Sequence, residues 1–198
     1  MILCSRSLEA GQAAIDTELL QPGLGGYSVD ASNVRVMGLD LSSLQSIKAF
    51  ADEFIQQEGR LDLLVLNAGI MALPKLELTD AGFEKQIGVN HFGHFYLTQL
   101  LLDKMRATPS TAGRIVVLSS SAHRFGDVRP DDLHFSKNSR RYTPWGAYGQ
   151  SKLANLLHAK GLANRLRGTG LTALSVHPGV IKTNLWRWVA VMTGGGCS

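Results

Sequence analysis

Five short apolar runs, each rich in branched residues, recur along the chain. They are MILC at Met1, VRVMGL at Val34, LDLLVLN at Leu61, RIVVLS at Arg114 and LTALSV at Leu171. Each reads as a strand buried on both faces, and helical patterns lie between them. That alternation predicts a parallel α/β sheet with helices on both sides. After the second run, Ser42 and Gln45 match a capping box, Leu44, Ile47, Phe50, Ala51 and Phe54 recur at helical spacing, and Gly59 closes the helix. Longer helical patterns run from Thr79 to Met105 and from Ala147 to Arg167. The polar, basic stretch from His123 to Pro144 reads as a long functional loop.

The 198 residues, 44% hydrophobic and 18% charged, fit one domain spanning 1–198. The net charge of +4 is scattered, with one small cluster at Lys137, Arg140 and Arg141, too thin for a nucleic-acid surface. An anionic small ligand needs far less. Cys4 lies in an apolar run and Cys197 in a glycine-rich tail, so no disulfide framework is indicated and a reducing, cytoplasmic setting is the default. The longest apolar stretch, LLVLNAGIMAL, is interrupted by Asn67 and falls short of the ~18 residues of a membrane span. A membrane-associated longer form stays open, as does a homo-oligomer.

Ligands of open parallel sheets bind at the carboxyl ends of the strands. Here those ends read SR, DL, NAG, SSS and HPG, all small, polar or loop-forming. Farther on, GAYGQSKLANLL sets Tyr148 four residues before Lys152, one helical turn apart on one face. A phenol with an ordinary pKa of about 10 has to fall by about 3, or roughly 4 kcal/mol, to exchange protons near neutrality. A cation at this spacing pulls it down, and burial pushes it up. The pair therefore makes Tyr148 a candidate general acid/base, with Lys152 its electrostatic partner.

Four features stand in order: LNAG after the third run, VNHFGHF in the next helix, LSSS after the fourth run, and Tyr148-x-x-x-Lys152. In that order the chain resembles the short-chain dehydrogenase/reductase family. SSSAHRFG, AYGQSKLANLL and HPGVIKTNL bring it nearest the retinol dehydrogenase and WW-domain oxidoreductase branch. The resemblance runs from Met1 to about Trp188. It implies a Rossmann-type doubly wound sheet and NAD(P)-linked interconversion of an alcohol and a carbonyl on an apolar small molecule of the retinoid, steroid or lipid aldehyde class.

The resemblance also implies roles. Asn90, Ser120, Tyr148 and Lys152 form the catalytic set. Ser120 bonds the substrate oxygen, with Ser119 and Ser121 as rivals, and Asn90 holds a water that relays protons to Lys152. Lys152 also reaches the nicotinamide ribose. Arg6 pairs with a 2′-phosphate, favouring NADP over NAD, unless it is a solvated loop arginine. Asp40 and Leu41 match the adenine-side contacts, although Asp40 could instead support the cap of the next helix. Asn67, Ala68 and Gly69 let backbone approach the cofactor, Asn67 also bracing the strands. Pro178 and Gly179 fold over the nicotinamide, and Thr183 bonds its carboxamide. No metal is implied: His91 and His94 lie a turn apart without a third ligand.

The family pattern breaks at both ends. The glycine-rich strand, turn and helix that cradle a pyrophosphate are missing, and so is the last strand. In the order 3-2-1-4-5-6 the first strand separates the second from the fourth, so MILC and LLVLN lack a common neighbour. The expected sheet is incomplete, unless those two runs pair directly and close it. A rival reading follows: a catalytically silent product of the same ancestry, acting through protein contacts.

Overall fold

In a computed structural model, residues 1–19, 30, 33–108, 112–137, 141–179 and 185 are described. The five apolar runs are strands: β1 (Ile2–Ser5), β2 (Arg35–Gly38), β3 (Leu63–Leu66), β4 (Gly113–Leu118) and β5 (Leu171–Val176). All pairings between them are parallel. β1 pairs with β2 in one sheet, and β3-β4-β5 form a second. Among the described residues no strand joins β1 to β3, so the sheet is interrupted where the sequence lacks a common neighbour for them.

Burial on both faces holds only in part. Ile115 and Val117 of central β4 are fully buried, but Leu63 is 54% and Val65 50% exposed. Side chains alternate along a strand. Leu64 and Leu66 therefore meet the core of Ile47, Phe50, Leu97, Leu101 and Leu162, while Leu63 and Val65 lie on a face left uncovered. The stretch beyond Gly179, where the expected loss of a last strand falls, lies outside the described residues except for Leu185.

The helices are α1 (Leu8–Ala14), α2 (Leu44–Gln57), α3 (Lys85–Ile87), α4 (His94–Ala107) and α5 (Pro144–Arg165). Ser43, not Ser42, caps α2: its hydroxyl accepts from Ser46 N, while Ser42 is turned back onto Asp40. The helix expected from Thr79 starts later. Gly82 sits at φ +80° and Glu84 caps the start at Lys85, accepting from the N–H groups of Gln86 and Ile87. A π-helical segment, Gly88–Gly93, then joins α3 to α4. Such segments often mark functional sites. Gly93 is required there, because a Cβ would stand 2.4 Å from the Leu41 carbonyl oxygen. Thr143 caps α5 with Pro144 in its first turn.

Candidate active site

Because the strands run parallel, the segments after β3, β4 and β5 emerge at one edge. α5 carries Tyr148 and Lys152 past them. Both side chains are buried, and the Lys152 ammonium lies 5.6 Å from the centre of the Tyr148 ring. The ring is seated against Met71, Ala72 and Ala122, with Leu185 at the margin. Burial pushes the phenol above its usual range, and the nearby Ser120 hydroxyl pulls the other way. The cation stands over the ring, and of the two opposing effects expected on Tyr148, burial is the larger. The larger shift is on the lysine, which burial brings down to about 8.

The three serines after β4 separate by geometry. Ser119 donates its hydroxyl to the Lys152 carbonyl at 2.7 Å and is buried. Ser121 is exposed within the 3₁₀ turn Ser121–Phe125. Ser120 caps that turn, accepting from Ala122 N at 3.2 Å, and is the serine brought to the phenol.

Asn90, on the π-helical segment, is fully buried. Its Nδ2 donates to Ile70 O and Ser151 Oγ, each at 2.9 Å, and its Oδ1 accepts from Ile70 N at 2.8 Å. The side chain expected to hold a relay water is thus committed to the loop after β3 and to α5. Asn67, expected to brace the strands, is exposed. His94, buried and brought down to about 4 chiefly by desolvation, is neutral and donates Nδ1–H to the Asn90 carbonyl at 3.0 Å.

Two residues escaped the sequence reading. Gln86 is fully buried one helical turn before Asn90. Its Oε1 accepts from Ala72 N, and its Nε2 donates to Tyr142 Oη and to Pro144 O. One amide so ties the loop after β3, the Asn90 helix and the start of α5. Asn155 donates to Leu118 O at 3.0 Å and meets His91 Nδ1 at 3.2 Å. A glutamine four residues before a buried asparagine was the available signal for the first, since both lie on one helix face.

The remaining candidates are spread around this edge. Arg6 is exposed just after β1. Asp40 serves the capping alternative: its carboxylate accepts from Ser42 N and Oγ, and its N–H donates to Ser46 Oγ. Leu41 is buried in the core. Ala68 is exposed and Gly69 half-buried after β3, while Pro178 and Gly179 are exposed after β5, Gly179 at φ +86°. Thr183 lies outside the described residues.

A nicotinamide dinucleotide fits one half of this edge. A Cβ at Gly69 would stand 3.0 Å from Asn90 Oδ1 and 3.7 Å from Lys152 Nζ, so bare backbone passes close to the ammonium. Lys152 has three N–H donors, and its one hydrogen bond among the described residues goes to Leu118 O at 3.2 Å. That leaves buried donors for ribose hydroxyls. For the pyrophosphate half, the described residues offer no glycine-rich turn entering a helix.

A family model described as short chain dehydrogenase matches residues 6–129. The chain belongs to the short-chain dehydrogenase family. Within it, retinol dehydrogenase 14 of Homo sapiens is 44% identical over 171 residues, covering 86% of this chain and 48% of that protein. Retinol dehydrogenase 13 of Homo sapiens is 48% identical over 191 residues, covering 96% and 54%. This member of the family spans about half the length of the curated relatives it matches. Among solved structures, an uncharacterized protein from Mycobacterium Paratuberculosis aligns with a TM-score of 0.73 at 44% identity, over 93% of this chain and 60% of the other. A short-chain dehydrogenase from Streptomyces avermitilis gives 0.66 at 25% identity, over 93% and 57%. The Rossmann-type fold of the family is therefore present with its sheet interrupted.

Proposed function

We propose that this site carries out NADP-linked interconversion of an alcohol and a carbonyl on an apolar substrate. The observation that carries the reading is the grouping of buried Tyr148 and Lys152 with half-buried Ser120 at the carboxyl edge of β3 and β4. The bound nicotinamide supplies or accepts the hydride. Tyr148 exchanges the proton of the substrate oxygen. Ser120 donates a hydrogen bond to that oxygen and stabilises the charge that develops on it. Lys152, mostly protonated at pH 7 with its pKa near 8, reaches the ribose hydroxyls and holds positive charge beside the phenol. Asn90 fixes the Ile70 backbone so that the segment from Asn67 to Gly69 lines the cofactor face. Pro178 and Gly179, exposed after β5, would cover the nicotinamide.

Arg6 supports NADP over NAD, because a guanidinium at the end of β1 matches a 2′-phosphate, where an acidic side chain would bind a 2′-hydroxyl. The substrate class, a retinoid, steroid or lipid aldehyde, rests on the retinol dehydrogenases among the relatives. Incubating the chain with all-trans-retinal and NADPH, then separating retinol by chromatography, tests the reading. Retinol formed faster with NADPH than with NADH supports it, and no reduction of retinal or of a medium-chain aldehyde overturns it.

A second reading is favoured by the interrupted sheet. With Leu63 and Val65 exposed on β3 and no strand joining β1 to β3 among the described residues, the chain would be catalytically silent and act through protein contacts. Absence of NADPH binding by the folded chain would select it.

A further inference from the structure

On the side of α5 away from Tyr148, the 3₁₀ turn and the loop after it enclose a cavity of about 450 Å³. Gly146 and Gln150 of its wall are four residues apart and share a helix face. Tyr148 lies two residues from each, roughly 200° round the helix axis, so the cavity and the Tyr148 phenol occupy opposite faces. The volume falls within the ~300–1,000 Å³ of small-molecule sites.

Two phenyl rings and two guanidinium groups define the chemistry of this cavity: Phe125, Phe135, Arg129 and Arg141. Phe125 is 58% exposed, a large apolar ring left facing water. Phe135 is held at φ +56°, a left-handed conformation that strains a bulky residue. It is kept there by its N–H on Asp132 O at 3.2 Å, by an edge contact with Tyr142 at 5.5 Å, and by Gln150 Nε2 anchoring Leu133 O at 2.9 Å.

The polar groups of the wall are mostly committed. Arg129 is paired with the Asp127 carboxylate at 2.5 Å. Thr143 Oγ1 accepts from Gly146 N, and Gln150 serves Leu133. Arg141 is lined up with none of these and has no carboxylate partner among the described residues. The wall therefore carries one net positive charge beside two aromatic faces.

We infer that this cavity is a second binding site, for a small amphiphile that seats a carboxylate on Arg141 and an apolar body between Phe125 and Phe135. A guanidinium fork grips a carboxylate with two parallel hydrogen bonds, and the rings cover a chain that would otherwise face water. The wall also touches the catalytic helix: Gly126 packs so closely on Gly149 that a Cβ on it would stand 2.2 Å from the Gly149 carbonyl oxygen.

Calorimetric titration of the chain with decanoate, decanol and acetate tests this, using wild type, Arg141→Gln and Phe125→Ala. Both positions are exposed, and melting curves check that the variants fold. Wild type is expected to bind one decanoate, Arg141→Gln about tenfold more weakly, as loss of a charged hydrogen bond requires. Phe125→Ala should weaken decanoate and leave acetate unchanged, and decanol should not distinguish wild type from Arg141→Gln. No saturable binding of decanoate to wild type, or equal decanoate affinity in wild type and Arg141→Gln, overturns the assignment; the second outcome would place decanoate on an apolar surface elsewhere.

Discussion

The Lys152 ammonium stands 5.6 Å from the centre of the Tyr148 ring, and both are buried on the same face of α5. Burial acts on them in opposite senses, raising the phenol and bringing the amine down to about 8. Desolvation disfavours whichever form is charged, so each group is pushed toward neutrality. The Ser120 hydroxyl opposes this for the phenol. A proton on the tyrosine is therefore well held in this state.

Asn90→Ala should destabilise the chain by about 2–3 kcal/mol. It removes the partner of Ile70 N, Ile70 O and Ser151 Oγ at once and leaves buried groups unpaired. Urea unfolding measures the loss, and amide hydrogen exchange should show Ile70 losing its protection. A change under about 0.5 kcal/mol would show that water replaces the amide without cost.

His158 is 9% exposed, and neither ring nitrogen has a hydrogen-bond partner among the described residues. Its ring packs on Phe95 at 5.1 Å and edge-on to His91 at 5.7 Å. Replacing it by phenylalanine keeps the ring and removes both orphaned polar atoms. His158→Phe should stabilise by about 1 kcal/mol at pH 7.5.

The same residue sets a pH dependence. In the unfolded chain the imidazole takes up a proton near 6.5, in the folded chain only near 4, because burial and His91 both oppose the charge. Between those values the unfolded state holds more protons, so stability falls as pH drops from about 6.5 toward 4. Buried His94, also brought down to about 4, acts in the same sense. His158→Phe should flatten this acid slope by one proton, read from urea melts at pH 7.5, 6 and 5. An unchanged slope would show that His158 is protonated alike in both states.

The strands and their parallel sense were legible because branched apolar runs have few alternatives; the lack of a common neighbour for MILC and LLVLN marked the gap, but not whether the two would pair directly, which they do not. Cap positions were less so. Ser42 and Ser43 are chemically equal candidates, and the choice fell to Asp40, which holds Ser42 in a turn of its own. The late start at Lys85 depended on Gly82 adopting positive φ. In the site, Tyr148 and Lys152 were visible as an i, i+4 pair. The web through Gln86 and Tyr142 was not, since its partners come from segments up to 58 residues apart. Which effect wins on Tyr148 was not legible, because spacing shows a nearby cation and does not show how deeply the phenol is buried.

Arg6→Ala should weaken NADPH binding by about 1.5–3 kcal/mol, the scale of a hydrogen bond to a charged group, and affect NADH far less. Fluorescence titration of the two reduced cofactors measures the difference. Equal losses would assign Arg6 to solvent.

Turnover of all-trans-retinal with NADPH by wild type and Tyr148→Phe, together with NADPH affinity, tests the central claim most directly. The phenylalanine removes only the transferable proton. Rate should fall by about 10²–10⁴-fold with cofactor affinity within about twofold, as befits a group that acts on the substrate oxygen, whereas Lys152→Ala should damage both. Turnover by Tyr148→Phe near the wild-type rate would contradict the assignment of Tyr148 as the acid/base.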